Sequence, residues 1–169
     1  MSRAFVKEPD GDQADSDLPE RPQSDHPNYM TQTGLEKMQS TVIALRQEHS
    51  LLKKQDDLSA KNRIKPIEAE LRYLEKRIQC AIPVDISTQK SQEIRFGATV
   101  KLIDENDQEY VFTIVGEDEA DPEAGFISWV SPLARELLGK KADDTVLWER
   151  PAGDLELEIL DFSYENSGV

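Results

Sequence analysis

The residues of this chain with the chemistry to act on something fall in three places. In "KKQDDLSAKN", residues 53–62, Asp56 and Asp57 stand side by side among lysines. Carboxylate oxygens are the ligands that Mg²⁺ and Ca²⁺ prefer. Neighbours on a helix diverge by roughly 100°, so the two would share an ion only in an irregular turn. A second cluster, Asp118, Glu119 and Asp121 in "GEDEAD", lacks the spacing of a calcium loop, since Gly116 precedes the acids rather than sitting among them. It reads as a solvated acidic loop that contacts a partner. The third place is Ser131 in "SWVSPLARELLGKKADD". A serine nucleophile needs a base within reach, and the chain's two histidines, His26 and His49, lie outside the segment that carries it. With Pro132 and "LARELL" after it, Ser131 is placed instead as a helix N-cap, and Gly139 falls just past the helix end.

Composition narrows what such residues can serve. Among 169 residues only Cys80 is a cysteine, so neither an internal disulfide nor a cysteine-based metal cluster is available. No run nears the roughly 20 apolar residues of a membrane-spanning helix. The opening "MSRAFVKEPDGDQADSD" lacks the apolar core of a secretory signal, so a cytoplasmic protein with no membrane partner is expected. The net charge of −14 is unevenly spread, with −4 on residues 1–28, +3 on residues 29–83 and −13 on residues 84–169. A field so largely negative is repelled by bare nucleic acid. RNA and DNA are therefore expected as partners only where another protein already holds them.

Two kinds of element must position these residues. Residues 9–28 contain four prolines and almost no large apolar side chains, which predicts a disordered acidic leader over residues 1–28. Thr33 followed by Glu36 has the spacing of a capping box, with Thr31 a rival cap, so a helix is expected to start near residue 34. Leu35, Met38, Val42, Leu45, His49 and Leu52 step by three and four, as do Ile64, Ile67, Leu71, Leu74, Ile78 and Ala81. That is the spacing of two apolar seams, with His49 a tolerated polar member. The polar stretch between them makes a turn, so residues 29–83 form an antiparallel helical hairpin with Asp56 and Asp57 at its tip. Pro66 either opens the second helix or, if that helix begins near Ser59, lies inside and kinks it.

Past residue 83 the period changes. "ATVKLID", "EYVFTIV", "FISWV", "DTVLWE" and "DLELEIL" alternate and are rich in β-branched residues, which predicts five strands in an antiparallel or mixed sheet, interrupted by the short helix after Ser131. The chain is α+β, with residues 84–169 as its second domain.

The order of these parts, together with "YMTQTGLEKM", "FGATVKL", "FTIVGEDEAD", "ISWVSPLARELLGKKADDTV" and "PAGDLELEIL", resembles the Gre family of bacterial transcript cleavage factors over residues 29–160. The resemblance implies a coiled-coil hairpin followed by an FKBP-like antiparallel β-sheet domain with one short helix, acting as a monomer on RNA polymerase. The sheet domain would dock at the rim of the polymerase's secondary channel while the hairpin reaches inward. Asp118, Glu119, Asp121, Ser131, Pro132 and Arg135 are the polymerase-binding candidates. Acidic residues at the family's tip help hold the second Mg²⁺ of the polymerase active site and its water, so that the polymerase cleaves backtracked RNA. Two metals flanking a phosphate can activate water and stabilise the leaving oxygen; the factor has no catalytic residue and no cofactor of its own.

At the tip this sequence departs from the family pattern. Asp57 and Leu58 match, but Ala60 stands where the first tip glutamate would be, leaving Asp57 and its neighbour Asp56 as the metal candidates. Each arm is about 20 residues, or ~30 Å of helix, short for the family. Three functions stay open. The chain is a Gre-type elongation factor that stimulates cleavage, a channel-binding modulator or inhibitor that does not, or, more remotely, an FKBP-type prolyl isomerase whose few aromatics would have to supply both core and pocket.

Overall fold

Two long helices and a five-stranded sheet form the framework of the fold. The computed structural model describes residues 20–55 and 57–164. Strand β1 (Asn28–Thr31) leads directly into helix α1 (Gln32–Leu52); after a short turn helix α2 (Leu58–Gln79) runs back into β2 (Ala81–Val84). Thr31, not Thr33, caps α1, its Oγ1 accepting the Gly34 amide at 2.9 Å. Thr31 ends a strand and is still extended, with ψ 157°, the backbone that a cap requires. Glu36 does not reach back to a cap but accepts a hydrogen bond from Gln32 Nε2 at 2.9 Å.

The two seams meet as their spacing predicts. Met38, Val42, Ile67, Leu71 and Leu74 are buried, with Leu35, Leu45, Leu52 and Ile78 packed against them. His49 holds its seam position by pairing, Nε2 lying 2.7 Å from Glu68 Oε1. Pro66 lies inside α2, so of the two readings the helix that begins near Ser59 is the one found. Proline removes one amide donor, and here it does so on an exposed face, while the apolar seam on the other side keeps the helix going.

Two boundaries shift from expectation. Ala81–Val84 pairs in parallel with β1, from Asn28↔Ala81 to Thr31↔Val84, so a domain limit at 83/84 falls inside a strand and Asn28 belongs to the sheet at the hairpin's base. Of the leader expected to be disordered, residues 1–19 lie outside the described residues, whereas Arg21, Ser24, His26 and Asn28 contact the rest of the chain. Arg21 lies over the Tyr73 ring at 4.1 Å and 3.8 Å from Glu70, and His26 meets Trp129 edge-on with ring centres 6.0 Å apart. A count of prolines and acids cannot register these partners, because they come from the hairpin and the sheet domain.

The sheet domain contains β3 (Thr99–Asp104), β4 (Glu109–Val115), β5 (Phe126–Ser128), β6 (Thr145–Trp148) and β7 (Leu155–Ser163) in the order β5-β4-β3-β7-β6. Val100, Leu102, Ile114, Val146, Leu157 and Ile159 bury one face, and helix α3 (Pro132–Leu137) closes over it with Leu133, Ala134 and Leu137. The buried residues of this core form a cluster separate from the hairpin's. Of the antiparallel and mixed sheets expected, the mixed one is found: β5 runs parallel to β4, and the other pairings are antiparallel. The segment 116–125 carries the chain back to the level of Thr113 before β5 begins, a crossover rather than a hairpin turn. That excursion folds as two 3₁₀ turns, Glu117–Glu119 and Pro122–Ala124, and it holds the acidic cluster.

Candidate functional site

The hairpin tip lies where α1 ends and α2 begins. Asp57 is extended and caps α2, Oδ1 accepting the Ala60 amide at 2.7 Å. The carboxylate is tied to the start of a helix, where its charge also suits the helix dipole. Ala60, which occupies the position of the first tip glutamate, is only 2 % exposed, so a side chain there enters the hairpin instead of leaving the tip. Asp56 lies outside the described residues. Among the described residues no three His, Cys, Asp or Glu side chains gather as a metal site, and Asp57 by itself does not fit a Mg²⁺ site. Among the described residues the tip also presents apolar and basic side chains beside Asp57: Leu51 is 60 % and Leu58 74 % exposed, with Lys53 and Lys54 exposed between them.

The second site is the 117–119 turn, where the expectation of a solvated loop is corrected. Asp118 Oδ1 accepts the Tyr73 hydroxyl at 2.8 Å and Oδ2 accepts Arg77 Nε at 2.5 Å, both donors coming from α2. The Arg77 side chain is 2 % exposed. Its Nη2 donates to Asn28 Oδ1 and lies 3.9 Å from Glu117 Oε2. The Asn28 amide in turn donates to the Arg77 carbonyl at 2.8 Å, and the Ser24 hydroxyl donates to Glu117 Oε1 at 3.0 Å. An arginine buried at the base of a helix needs a counter-charge, and the turn supplies it.

Glu119 makes a parallel connection to the first helix. Its Oε2 accepts the Thr31 amide at 2.9 Å and the Gly116 amide at 3.1 Å, while Oε1 accepts the Thr31 hydroxyl. Two glycines make room for it. A Cβ on Gly34 would lie 2.0 Å from Glu119 Oε1, and one on Gly116 would lie 2.3 Å from the Tyr29 carbonyl oxygen, so both positions require the missing side chain.

The electrostatics follow from burial and pairing. Burial pulls the Arg77 guanidinium down, but the hydrogen bond and charge of Asp118 outweigh it and leave the group above its ordinary value. Burial first, and then the hydrogen bond and charge of Asp118, hold the Tyr73 phenol up.

The remaining expected residues divide. Ser131 caps α3 as its surroundings predict, Oγ accepting the Ala134 amide at 3.3 Å. Asp121, Pro132 and Arg135 are exposed and available to a partner, whereas Asp118 and Glu119 are turned into the chain. Trp129 is covered by Tyr29, with ring centres 5.2 Å apart, and by His26. Tyr110, Phe112 and Trp148 pack on one another at the edge of the sheet core. Arg77, Tyr73, Asn28 and Thr31 were not singled out by sequence as members of a site. In "LRYLEKRIQC" nothing local separates Arg77 from Arg72 or Lys76, although its place beside the seam residue Ile78 is a weak signal of burial.

The chain is similar to known proteins over most of its length. Residues 89–164 match the family model described as the C-terminal part of the transcription elongation factors GreA and GreB. The chain is 36 % identical over 151 residues to the transcription elongation factor GreA of a Nitratiruptor species, covering 80 % of this chain and 93 % of that one. It is 44 % identical over 108 residues to GreA of Pelobacter propionicus, covering 63 % and 68 % of the two chains. The crystal structure of GreA factor homolog 1 of Thermus thermophilus matches it with a TM-score of 0.40 at 22 % identity, covering 82 % of this chain and 99 % of that one.

Proposed function

The chain belongs to the GreA/GreB family of transcription elongation factors, and from that premise we propose that it binds RNA polymerase through the secondary channel and regulates elongation. The observation that carries the reading is the hairpin. Helices of 21 and 22 residues make a probe of ~30 Å whose tip exposes Leu51 and Leu58, with nothing among the described residues to cover them. The sheet domain stays at the rim, where Asp121, Pro132 and Arg135 meet the polymerase and the −13 of residues 84–169 suits a basic partner surface.

Of the two ways to act there, modulation without a donated metal ligand is the one the tip favours. Asp57 is engaged as a cap and Ala60 points inward, so the described residues lend no carboxylate pair to a Mg²⁺ held by the polymerase. The chain is an accessory factor, and any RNA cleavage would be the polymerase's own metal chemistry.

A stalled, backtracked elongation complex with labelled RNA tests both levels. The expected result is retention of the chain on polymerase, weaker at high salt, with RNA shortened no faster than by polymerase alone. Absence of retention would overturn the binding reading, and accelerated shortening would assign the chain to cleavage stimulation.

A further inference from the structure

We propose that Arg77, Asp118 and Glu119 are positioning residues that aim the hairpin, holding its tip at one place relative to the sheet domain. The purpose of that aim rests on the polymerase-binding reading; the clasp itself rests on the geometry between the domains.

The covalent connection, residues 85–98 between β2 and β3, contains no helix or strand that would set the hairpin's direction, and its last part, with Ile94 and Ala98, belongs to the sheet core. Beside the clasp a groove of about 1130 Å³ lies between the base of the hairpin and the sheet domain, lined by Met38, Leu74, Ile86 and Phe126 among others. The 117–119 turn holds both arms instead. Asp118 takes Tyr73 and Arg77 at the end of α2, and Glu119 takes Thr31 at the start of α1. Besides the packing of Tyr29 on Trp129, two attachment points, one on α2 and one at the cap of α1, resist rotation as well as separation. Charge-assisted hydrogen bonds are short and directional, and a guanidinium 2 % exposed cannot exchange its partner for water without opening the interface.

A lever makes small losses of aim large at the tip. For arms of ~30 Å a swing of about 20° at the base displaces the tip by roughly 10 Å. A factor that docks by one domain and acts with the far end of the other needs such a swing suppressed.

The test uses the full chain with Cys80→Ser and nitroxide labels on cysteines placed at Ser50 and Glu156, both exposed. The distance between them is measured by pulsed electron resonance in this reference and in the same chain carrying Gly34→Ala and Asp118→Asn. Gly34→Ala displaces Glu119 while favouring helix, and Asp118→Asn keeps the size of the side chain, so circular dichroism should show both domains folded. One narrow distance population is expected in the reference and a width at least doubled in the variant. A reference already broad, or a variant as narrow as the reference, overturns the proposal.

These distances are read without polymerase, so they judge the clasp separately from the binding reading, which fails on its own if the reference chain is not retained by polymerase. With polymerase present, the variant should keep its affinity within about threefold and lose tenfold or more of its effect on elongation rate, whichever the sign of that effect. An equal fall in both would place the three residues in the docking surface and overturn their role in aiming.

Discussion

Arg77 Nε lies 2.5 Å from Asp118 Oδ2, joining the last turns of α2 to a 3₁₀ turn of the sheet domain across 41 residues of chain. The pair is buried on the arginine side, with 2 % of that side chain exposed and 11 % of Asp118's. A pair so placed adds little net stability compared with an apolar contact, yet removing one member strands the other charge.

Asp118→Ala should therefore lower stability by about 3 kcal/mol, because Glu117 at 3.9 Å is a poor replacement for the lost carboxylate. Asp118→Asn should cost about half as much, since its amide oxygen still accepts from Nε. Urea unfolding followed by circular dichroism gives both values, and equal costs for the two variants would show that charge, not the hydrogen bond, carries the contact.

The Tyr73 phenol reports on the same contact through pH. Its value in the folded chain is raised above the ordinary 10.0, so its contribution to stability is fully present below that pH and is lost as pH rises through the folded value. Asp118→Asn removes the hydrogen bond to a carboxylate and its charge but leaves the burial. Phenolate absorbance assigned by difference from Tyr73→Phe should then appear at lower pH in the variant than in the parent.

At the tip, cap chemistry separates two substitutions of one residue. Asp57→Ala should cost about 1 kcal/mol and Asp57→Asn only a few tenths, because asparagine caps as well as aspartate. Ala60→Glu should cost about 2 kcal/mol or more, since it forces a carboxylate into a position 2 % exposed, and it should confer no RNA cleavage. An Ala60→Glu chain as stable as the parent would show that the side chain finds a way out of the hairpin.

Docking should depend on the residues of the sheet domain that face solvent. The charge reversals Asp121→Lys and Arg135→Glu should each reduce retention by polymerase several-fold at low salt, and the differences should shrink as salt rises. Ser131→Ala should instead cost about 1 kcal/mol of stability through the lost cap and leave retention unchanged, as measured by co-sedimentation with polymerase.

Whatever local spacing controls was legible in the order of residues. The seam of Leu35, Met38, Val42 and Leu45 against Ile67, Leu71 and Leu74 was readable because 3.6-residue periodicity puts such residues on one face. The five strands were readable because alternation does the same with a period of two. Ser131 before Pro132 declared a helix start, and the missing base beside it ruled out a nucleophile. Motif order also disclosed the family, because long runs such as "FTIVGEDEAD" carry more information than composition.

What the charged residues do became visible only in three dimensions. Asp118 and Glu119 looked like a solvated loop because their partners Arg77 and Thr31 lie 41 and 88 residues away, beyond the reach of any spacing rule. The parallel pairing of β1 with β2 was hidden for the same reason, each strand being four residues long and lying beside helical sequence. Ala60 was read as an absent glutamate, but its burial depends on how α1 and α2 close around the tip. Backbone periodicity is a property of neighbours in sequence. The burial and pairing of a charge are properties of neighbours in space, and here those neighbours meet only when the hairpin and the sheet domain come together.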